Sequence, residues 1–519
     1  MAGACNLPRR CYRMLAPVPV KQSRAYSQPI RPDKQFYSFA NLINGRLRHC
    51  APFQQAINPS TKEALWDVPI ATESDLNAAT AAATEVFRTW SRTPWARRQD
   101  GLKKAKSILD SAKQDFAALL SWEGGKPIQF AALEVEQALA ILDFHATHEP
   151  LEDRLIQDDD ELRLTLRYAP MGTVAAICPW NFPLALAMSK VCAALLTGNC
   201  VIVKPSPFTP YSVLKFAELV KDLFPPGVLQ TLNGDEKLGP LMCSHPDIQK
   251  ISFTGSIATG KRIVASTAST LKRVTLELGG NSASIVCPDV DPAVVAPQIA
   301  MGAFFNSGQL CVASKRIYVH NDIYDEFLEA MVGTVRSWVV GETSDLQPGT
   351  MLGPVQNENQ YNVVRGFFKD AEDNGYKFAL GSPIDADASA RSKSFLIRPA
   401  IIDNPPDESM IVRGEPFGPI VPVLRWDDEE EIIKRANDTN TGLGGAVWSA
   451  DVDRAHAIAE RIEAGTVWIN GYERPLAQAY CAGQKESGLG GELGTEGLRG
   501  FCNAQTVHYY KTPVAGRRT

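Results

Sequence analysis

Cys311, Glu277 and Asn181 are residues whose types could together carry covalent chemistry. Cys311 closes the run Phe305-Asn306-Ser307-Gly308-Gln309-Leu310-Cys311, where Gly308 lets backbone or ligand approach closely. Glu277 stands before Gly279-Gly280-Asn281, an acid placed where the run Arg273-Val274-Thr275-Leu276 opens into a glycine turn. Asn181 lies in Trp180-Asn181-Phe182-Pro183, between an apolar run and a helical one. A thiol can attack an electrophilic carbon, a carboxylate can activate water, and an amide can hold a developing negative oxygen. Taken singly, each also has an inert reading: a core cysteine, a solvated strand end, a packed turn.

A fourth segment, Gly255-Ser256-Ile257-Ala258-Thr259-Gly260-Lys261, comes within one residue of a triphosphate-binding loop, but Arg262 stands where that loop needs a hydroxyl for magnesium. A Gly/Ser turn entering a helix still offers free N–H groups and a positive dipole end to a pyrophosphate. An ordinary strand–turn–helix is the alternative. The GxGxxG fingerprint of a standard dinucleotide site is missing where this sheet would need it.

The elements that must position these residues alternate. From Ser74 to about His145 the pattern is helical, with alanine-rich amphipathic stretches over 75–89 and 131–145. Strands are expected at 174–178, 200–203, 228–232, 248–253 and 274–278, with helices at 184–197, closed by Gly198-Asn199, and at 212–223. Strands separated by helices of this length predict a parallel, doubly wound α/β sheet, which binds ligands beyond the carboxyl ends of its strands. A second α/β alternation runs from Asn281 to about Leu489. Leu162 to Arg167 alternates apolar and polar residues, which predicts a half-exposed strand outside the main fold, of use as an oligomer contact.

Composition narrows the function classes. A chain of 519 residues with 45% hydrophobic and 21% charged content fits a multidomain globular protein. Its 53 basic and 58 acidic residues leave a net charge of −5, so no nucleic-acid or anionic-membrane partner is expected. The 11 cysteines show neither a disulfide framework nor zinc spacing, and no apolar run is long enough to span a bilayer. No metal is expected. Residues 1–32 carry Arg9, Arg10, Arg13, Lys21, Arg24 and Arg31 with no acid before Asp33, the composition of a transit peptide. Arg24-Ala25-Tyr26-Ser27 resembles a processing site, whereas Pro8, Pro17 and Pro19 would interrupt an amphipathic helix. Import into the mitochondrial matrix is the expectation, and a disordered basic tail on a cytoplasmic protein the alternative.

Together these segments resemble the aldehyde dehydrogenase superfamily, and further motifs follow in the same order: Lys204-Pro205-Ser206, Glu415-Pro416-Phe417-Gly418-Pro419, and Gly483-Gln484-Lys485-Glu486-Ser487-Gly488. The resemblance runs from about Tyr37 to Tyr510. It implies a Rossmann-like cofactor domain (33–147 and 171–279), an α/β catalytic domain (280–500) and a small β oligomerisation flap (148–170 and 501–519). It implies oxidation of an aldehyde to a carboxylic acid with NAD(P)⁺ in a homodimer or homotetramer. Cys311 would form a thiohemiacetal and then a thioester, the Asn181 amide and the Cys311 N–H would hold the oxyanion, and Glu277 would activate water. Lys190 matches a family lysine tied to the proton path. Gly255 and Ser256 would meet the pyrophosphate, Lys204 the adenosine ribose, and Glu415 the nicotinamide ribose with Phe417 against the ring. Pro179, Trp180, Ser206, Gly260, Leu278 and Gly279 would complete the cofactor site. NAD-preferring relatives often carry a glutamate three residues after the lysine; Pro207 stands there, and no dedicated arginine replaces it, so NAD⁺ is expected with NADP⁺ use open.

Departures from the family pattern fall around the substrate. Tyr480-Cys481-Ala482-Gly483 stands where many relatives have Pro-Phe-Gly-Gly, and Gly490-Gly491-Glu492 replaces the usual Gly-Arg-Glu. Ser189 takes a pocket position that is aromatic in several relatives, and Arg474 lies in the loop expected over the tunnel mouth. A roomier tunnel and a polar or acidic aldehyde are one reading; a solvent-facing Arg474 is the other. Three rivals stand beside this reading: a coenzyme A-acylating semialdehyde dehydrogenase, against which Glu277 argues, a catalytically silent binding protein of the same fold, and a triphosphatase, against which Arg262 argues.

Overall fold

The computed structural model describes residues 34–341, 349–384, 393–472 and 474–512. The basic segment 1–32 and the carboxyl-terminal 513–519 lie outside the described residues.

The first half of the chain builds an eight-stranded sheet. Its centre is five parallel strands in the order Leu229–Thr231, Cys200–Lys204, Thr173–Ile177, Lys250–Thr254 and Arg273–Glu277. Asn41–Ile43 and Arg46–Arg48 add antiparallel strands at one edge, and the two-residue strand Gly488–Leu489 adds one at the other. The three central strands are buried on both faces, which is why they read as continuous apolar runs. Side chains alternate across the sheet. Val174, Ala176, Val201 and Val203 pack with Met188 and Val191 of the helix Pro183–Leu196, while Ala175, Ile202, Ile251 and Phe253 join Ile263 of the helix Ile257–Thr267 on the opposite face. Each fully buried aliphatic side chain of this kind contributes roughly 1.5–3 kcal/mol.

The chain runs outward from Thr173–Ile177 through Cys200–Lys204 to Leu229–Thr231, then returns to Lys250–Thr254 on the other side. The reversal opens a crevice past the carboxyl ends of Thr173–Ile177 and Lys250–Thr254. The turns Cys178–Phe182 and Gly255–Ser256 both enter it. Pro183 starts the helix Pro183–Leu196 with its fixed φ, and Gly198, at φ +87°, ends it in the left-handed region.

The second half forms a seven-stranded sheet in the order Lys377–Leu380, Ala400–Asp403, Ile420–Trp426, Ser314–His320, Ser282–Val286, Gly444–Trp448 and Thr466–Ile469, parallel except at its first strand. Apolar clusters cover both faces. Outside both sheets, Arg154–Asp158, Leu162–Pro170 and Cys502–Tyr510 form a three-stranded antiparallel flap. Among the described residues, no helix is long and apolar enough to cross a membrane.

Candidate active site

Asn181 is buried in the turn after Thr173–Ile177, and its Nδ2 donates to the carbonyl of Gln309 at 3.1 Å. One amide hydrogen is thereby used, and the second is available to a ligand. Asn306, Ser307 and Gly308 have φ of +51°, +57° and +74°, three consecutive left-handed residues just before Cys311. For a non-glycine residue this conformation costs about 1–2 kcal/mol, so neighbouring contacts must hold it. They do: Asn306 Nδ2 donates to the Asn181 carbonyl at 3.3 Å, Ser307 Oγ to the Gly353 carbonyl at 2.8 Å, and Gln309 Nε2 to the Asn306 carbonyl at 2.9 Å. A Cβ at position 308 would lie 2.2 Å from the Gly418 carbonyl oxygen, which explains the glycine.

Burial pushes the Cys311 thiol up to about 11; Lys315 opposes the shift, and Glu415 and Glu277 add to it. Burial thus favours the protonated thiol. Lys315 donates to the carbonyls of Gly280 at 2.7 Å and Cys311 at 2.9 Å and is paired with Glu415, so one ammonium ties the Cys311 backbone to the turn after Glu277. Sequence reasoning missed Lys315. Its position, four residues past Cys311 at the head of an apolar strand, was a signal that only the fold makes meaningful.

Glu277 ends its strand opposite Gly488, and its Oε1 is buried without a hydrogen-bond partner among the described residues. Burial raises its pKa well above the ordinary carboxylate range, Glu492 adds to this, and Lys190 opposes it. Glu492 behaves oppositely: burial pushes it up, but Lys190, Ser189 and Ser252 outweigh that and hold it below its usual value. Lys190, fully buried, donates to Glu492 Oε1 and to Thr254 Oγ1, both at 2.7 Å. Their environments thus drive these two carboxylates in opposite directions. Ser189 Oγ lies 2.6 Å from Glu492 Oε2 and 2.9 Å from the Leu186 carbonyl, and its one hydrogen, given to the nearer carboxylate, serves this cluster. Arg474 is exposed and lies over the Tyr472 ring at 4.7 Å. Cys481, paired across its short strand with Glu492, is a second thiol within the field of Glu277 and Cys311.

The remaining sequence candidates border the crevice. The Gly255 N–H donates to the Glu277 carbonyl at 3.0 Å, and Ser256 caps the helix Ile257–Thr267, its Oγ accepting from Thr259 N at 3.3 Å. Gly260 is needed for packing, since a Cβ there would meet Leu278 at 2.6 Å, and one at Gly279 would meet Glu415 Oε2 at 2.2 Å. Phe417, at φ +47°, lies edge-on to Trp180 with ring centroids 5.4 Å apart. Pro179 and Trp180 are half-buried, and Ser206 is turned to its own loop, accepting from Phe208 N at 3.3 Å. Lys204 is 7% exposed, burial lowers it to about 8, and among the described residues its ammonium has no hydrogen-bond acceptor. A buried ammonium at the end of Cys200–Lys204, the N-terminus of the helix Ile257–Thr267 and glycines that keep the turns bare fit a nicotinamide dinucleotide. Among the described residues no His, Cys, Asp and Glu cluster could hold a metal ion.

The sequence profile of the aldehyde dehydrogenase family matches residues 49–507. The chain belongs to the aldehyde dehydrogenase family. This aldehyde dehydrogenase is 41% identical to aldehyde dehydrogenase LUC3 of a Fusarium species over 476 residues, covering 92% of this chain and all of the relative. It is 36% identical to human mitochondrial aldehyde dehydrogenase, with 87% of each chain covered. Among solved structures, the NAD⁺ complex of aldehyde dehydrogenase from Bacillus cereus superposes with a TM-score of 0.88 at 31% identity, covering 93% of this chain and 99% of that one. The two sheets and flap are thus an aldehyde dehydrogenase fold, and the activity is oxidation of an aldehyde. The parallel sheet expected from the strand–helix alternation is present without a GxGxxG turn.

Proposed function

We propose that Cys311 is the nucleophile, Asn181 the oxyanion donor and Glu277 the hydrolytic base of this aldehyde dehydrogenase, with a carboxylic acid as product. The Cys311 sulfur gives its proton to water in the crevice and bonds to the aldehyde carbon. The resulting oxyanion takes hydrogen bonds from the free Asn181 amide hydrogen and the Cys311 N–H. A bound nicotinamide supplies the hydride acceptor, which turns the thiohemiacetal carbon into a thioester. Ionised Glu277 then takes a proton from water, the oxygen attacks the thioester carbonyl, and the Cys311–carbon bond breaks to release the acid. Lys190 and Glu492 give that proton a buried route away from Glu277. The observation that carries this reading is the unpartnered, buried Glu277 oxygen sharing the field of Cys311. An acyl-transferring enzyme would keep its thioester from such a base. Appearance of reduced nicotinamide across an aldehyde panel, without coenzyme A, tests it.

For the cofactor, NAD⁺ is the preferred substrate in this proposal. Leu232 N donates to the Val203 carbonyl at 2.9 Å, which sets the two chains side by side, and Asp235 lies three residues past Leu232 as Pro207 lies three past Lys204. The charge of Asp235 also acts on Lys204. An acid there repels a 2′-phosphate. Asp235→Asn is expected to shift the ratio of kcat/KM for NAD⁺ over NADP⁺ toward NADP⁺ by roughly tenfold. An unchanged ratio would remove Asp235 from cofactor choice.

The flap leaves Leu155, Ile156, Val507, Tyr509 and Tyr510 exposed. We propose that a second copy of the chain covers them, giving a dimer or tetramer. A monomer at micromolar concentration by light scattering would refute this.

A further inference from the structure

We propose that the buried Lys126–Glu134 pair is a positioning device for the oxyanion amide of Asn181. The inference rests on the oxyanion role proposed for Asn181. Neither side chain touches the crevice chemistry; both act on the backbone that carries it.

The helix Pro183–Leu196 has no side-chain cap of its own, because Phe182 stands at its N-cap. Glu134, from the helix Ile128–Thr147, takes that place: its Oε1 accepts from Leu184 N at 2.9 Å and Ala185 N at 3.3 Å. A carboxylate at a helix N-terminus satisfies orphan donors and meets the positive end of the dipole. Lys126 is paired with the other oxygen of Glu134 and donates to the Asn181 carbonyl at 2.8 Å. Its ammonium also lies 4.1 Å from the centre of the Phe182 ring. The turn Asn181-Phe182-Pro183 is therefore gripped at its carbonyl, at one aromatic face and at the N–H groups that follow it.

The grip is itself anchored. Lys126 lies in the tight link between the helices Lys113–Gly124 and Ile128–Thr147, where Gly125 adopts φ +69° and Ser121 Oγ donates to the Lys126 carbonyl at 2.7 Å. The side chains of Lys126 and Glu134 are 1% and 0% exposed. A buried ion pair is often replaceable by apolar residues without loss of stability, so stability alone is a weak reason to keep one. What apolar residues could not supply is a charged donor on the Asn181 carbonyl and a charged acceptor for the next helix. Any rotation of this peptide turn swings the Asn181 amide away from the position two residues before Cys311 where Gln309 O now holds it. Oxyanion donors act only within a few tenths of an ångström of their place.

The test compares Lys126→Met, Glu134→Gln and the double variant, each with and without Asn181→Ala. The readout is the pre-steady-state burst of reduced nicotinamide at saturating NAD⁺, beside NAD⁺ affinity and melting temperature. The expected result is a burst slowed on the order of 10- to 100-fold in the clamp variants, NAD⁺ affinity unchanged, and less than about 3-fold further loss once Asn181 is alanine. Lys126→Arg, which keeps a charged donor, should recover part of the rate. If a single variant fails to fold because it buries a lone charge, the double variant, which leaves none, carries the comparison. A burst slowed by Asn181→Ala but not by the clamp variants, or full additivity between them, would overturn the positioning role alone. A burst unaffected by Asn181→Ala would overturn the oxyanion assignment and this inference with it.

Discussion

A Cys311→Ala variant is expected to make no reduced nicotinamide from any aldehyde, a fall of more than about 10⁴-fold, while binding NAD⁺ as the unaltered protein does. The sulfur is the one atom in the proposed cycle that bonds to substrate carbon, so no neighbour can share its task. Cys481 is the thiol nearest in character, and burial, then Glu277 and Cys311, raise its pKa well above the thiol range, but the Asn181 amide is tied to Gln309 in the segment that carries Cys311. Turnover and cofactor binding must be measured on the same preparation. Residual turnover within tenfold of the unaltered enzyme would mean that another group carries the acyl intermediate.

Glu277→Gln should separate the two half-reactions. The burst of reduced nicotinamide persists at about one equivalent per subunit, and the steady-state rate after it drops roughly 10²- to 10⁴-fold, because glutamine cannot take the water proton. The pH dependence carries a sign. Glu277 works as a base only when ionised and its pKa is raised, so the hydrolytic rate should climb with pH through a window above the ordinary carboxylate range and level off beyond it. The same shift has a stability side: a folded-state pKa above the unfolded one favours the native state at low pH, and that contribution is lost as pH rises through the folded value. Glu277→Gln should therefore melt higher than the unaltered protein at neutral and alkaline pH, with the gap closing on acidification. A variant that turns over past one equivalent at the normal rate would assign the base elsewhere.

The central strands were legible because burial on both faces writes them as apolar runs, and Thr173–Ile177, Cys200–Lys204 and Lys250–Thr254 lie within two residues of the expected limits. The helix Pro183–Leu196 was legible from its proline start and its Gly198 stop. The helical stretch from Ser74 resolves into four helices, Glu73–Trp90, Trp95–Ser111, Lys113–Gly124 and Ile128–Thr147; the first break rests on Pro94 and the third on Gly125 and Pro127, while the second falls at Ala112. Strand Gly488–Leu489 was not legible, since two residues show no periodicity. In the proposed site, the motifs name the residues to which the proposal gives chemistry, whereas Lys315, Lys126 and Glu134 were silent. A lone lysine or glutamate in sequence looks like solvated surface, and only tertiary contacts with main-chain carbonyls and N–H groups give it work.

That short strand has a consequence for how the protein comes into being. Ser487 Oγ donates to the Gly279 carbonyl across 208 residues of chain, and Lys190 meets Glu492 across 302. During synthesis from the amino end, the parallel centre of the eight-stranded sheet can form early, yet the strand bearing Glu277 keeps an open edge, and Lys190 lacks its carboxylate, until nearly the whole polypeptide has emerged. Contacts of such high order are slow to close. In the proposed cycle a half-made chain is thus inert, because Lys190 and the strand of Glu277 acquire these neighbours only when the last segment docks.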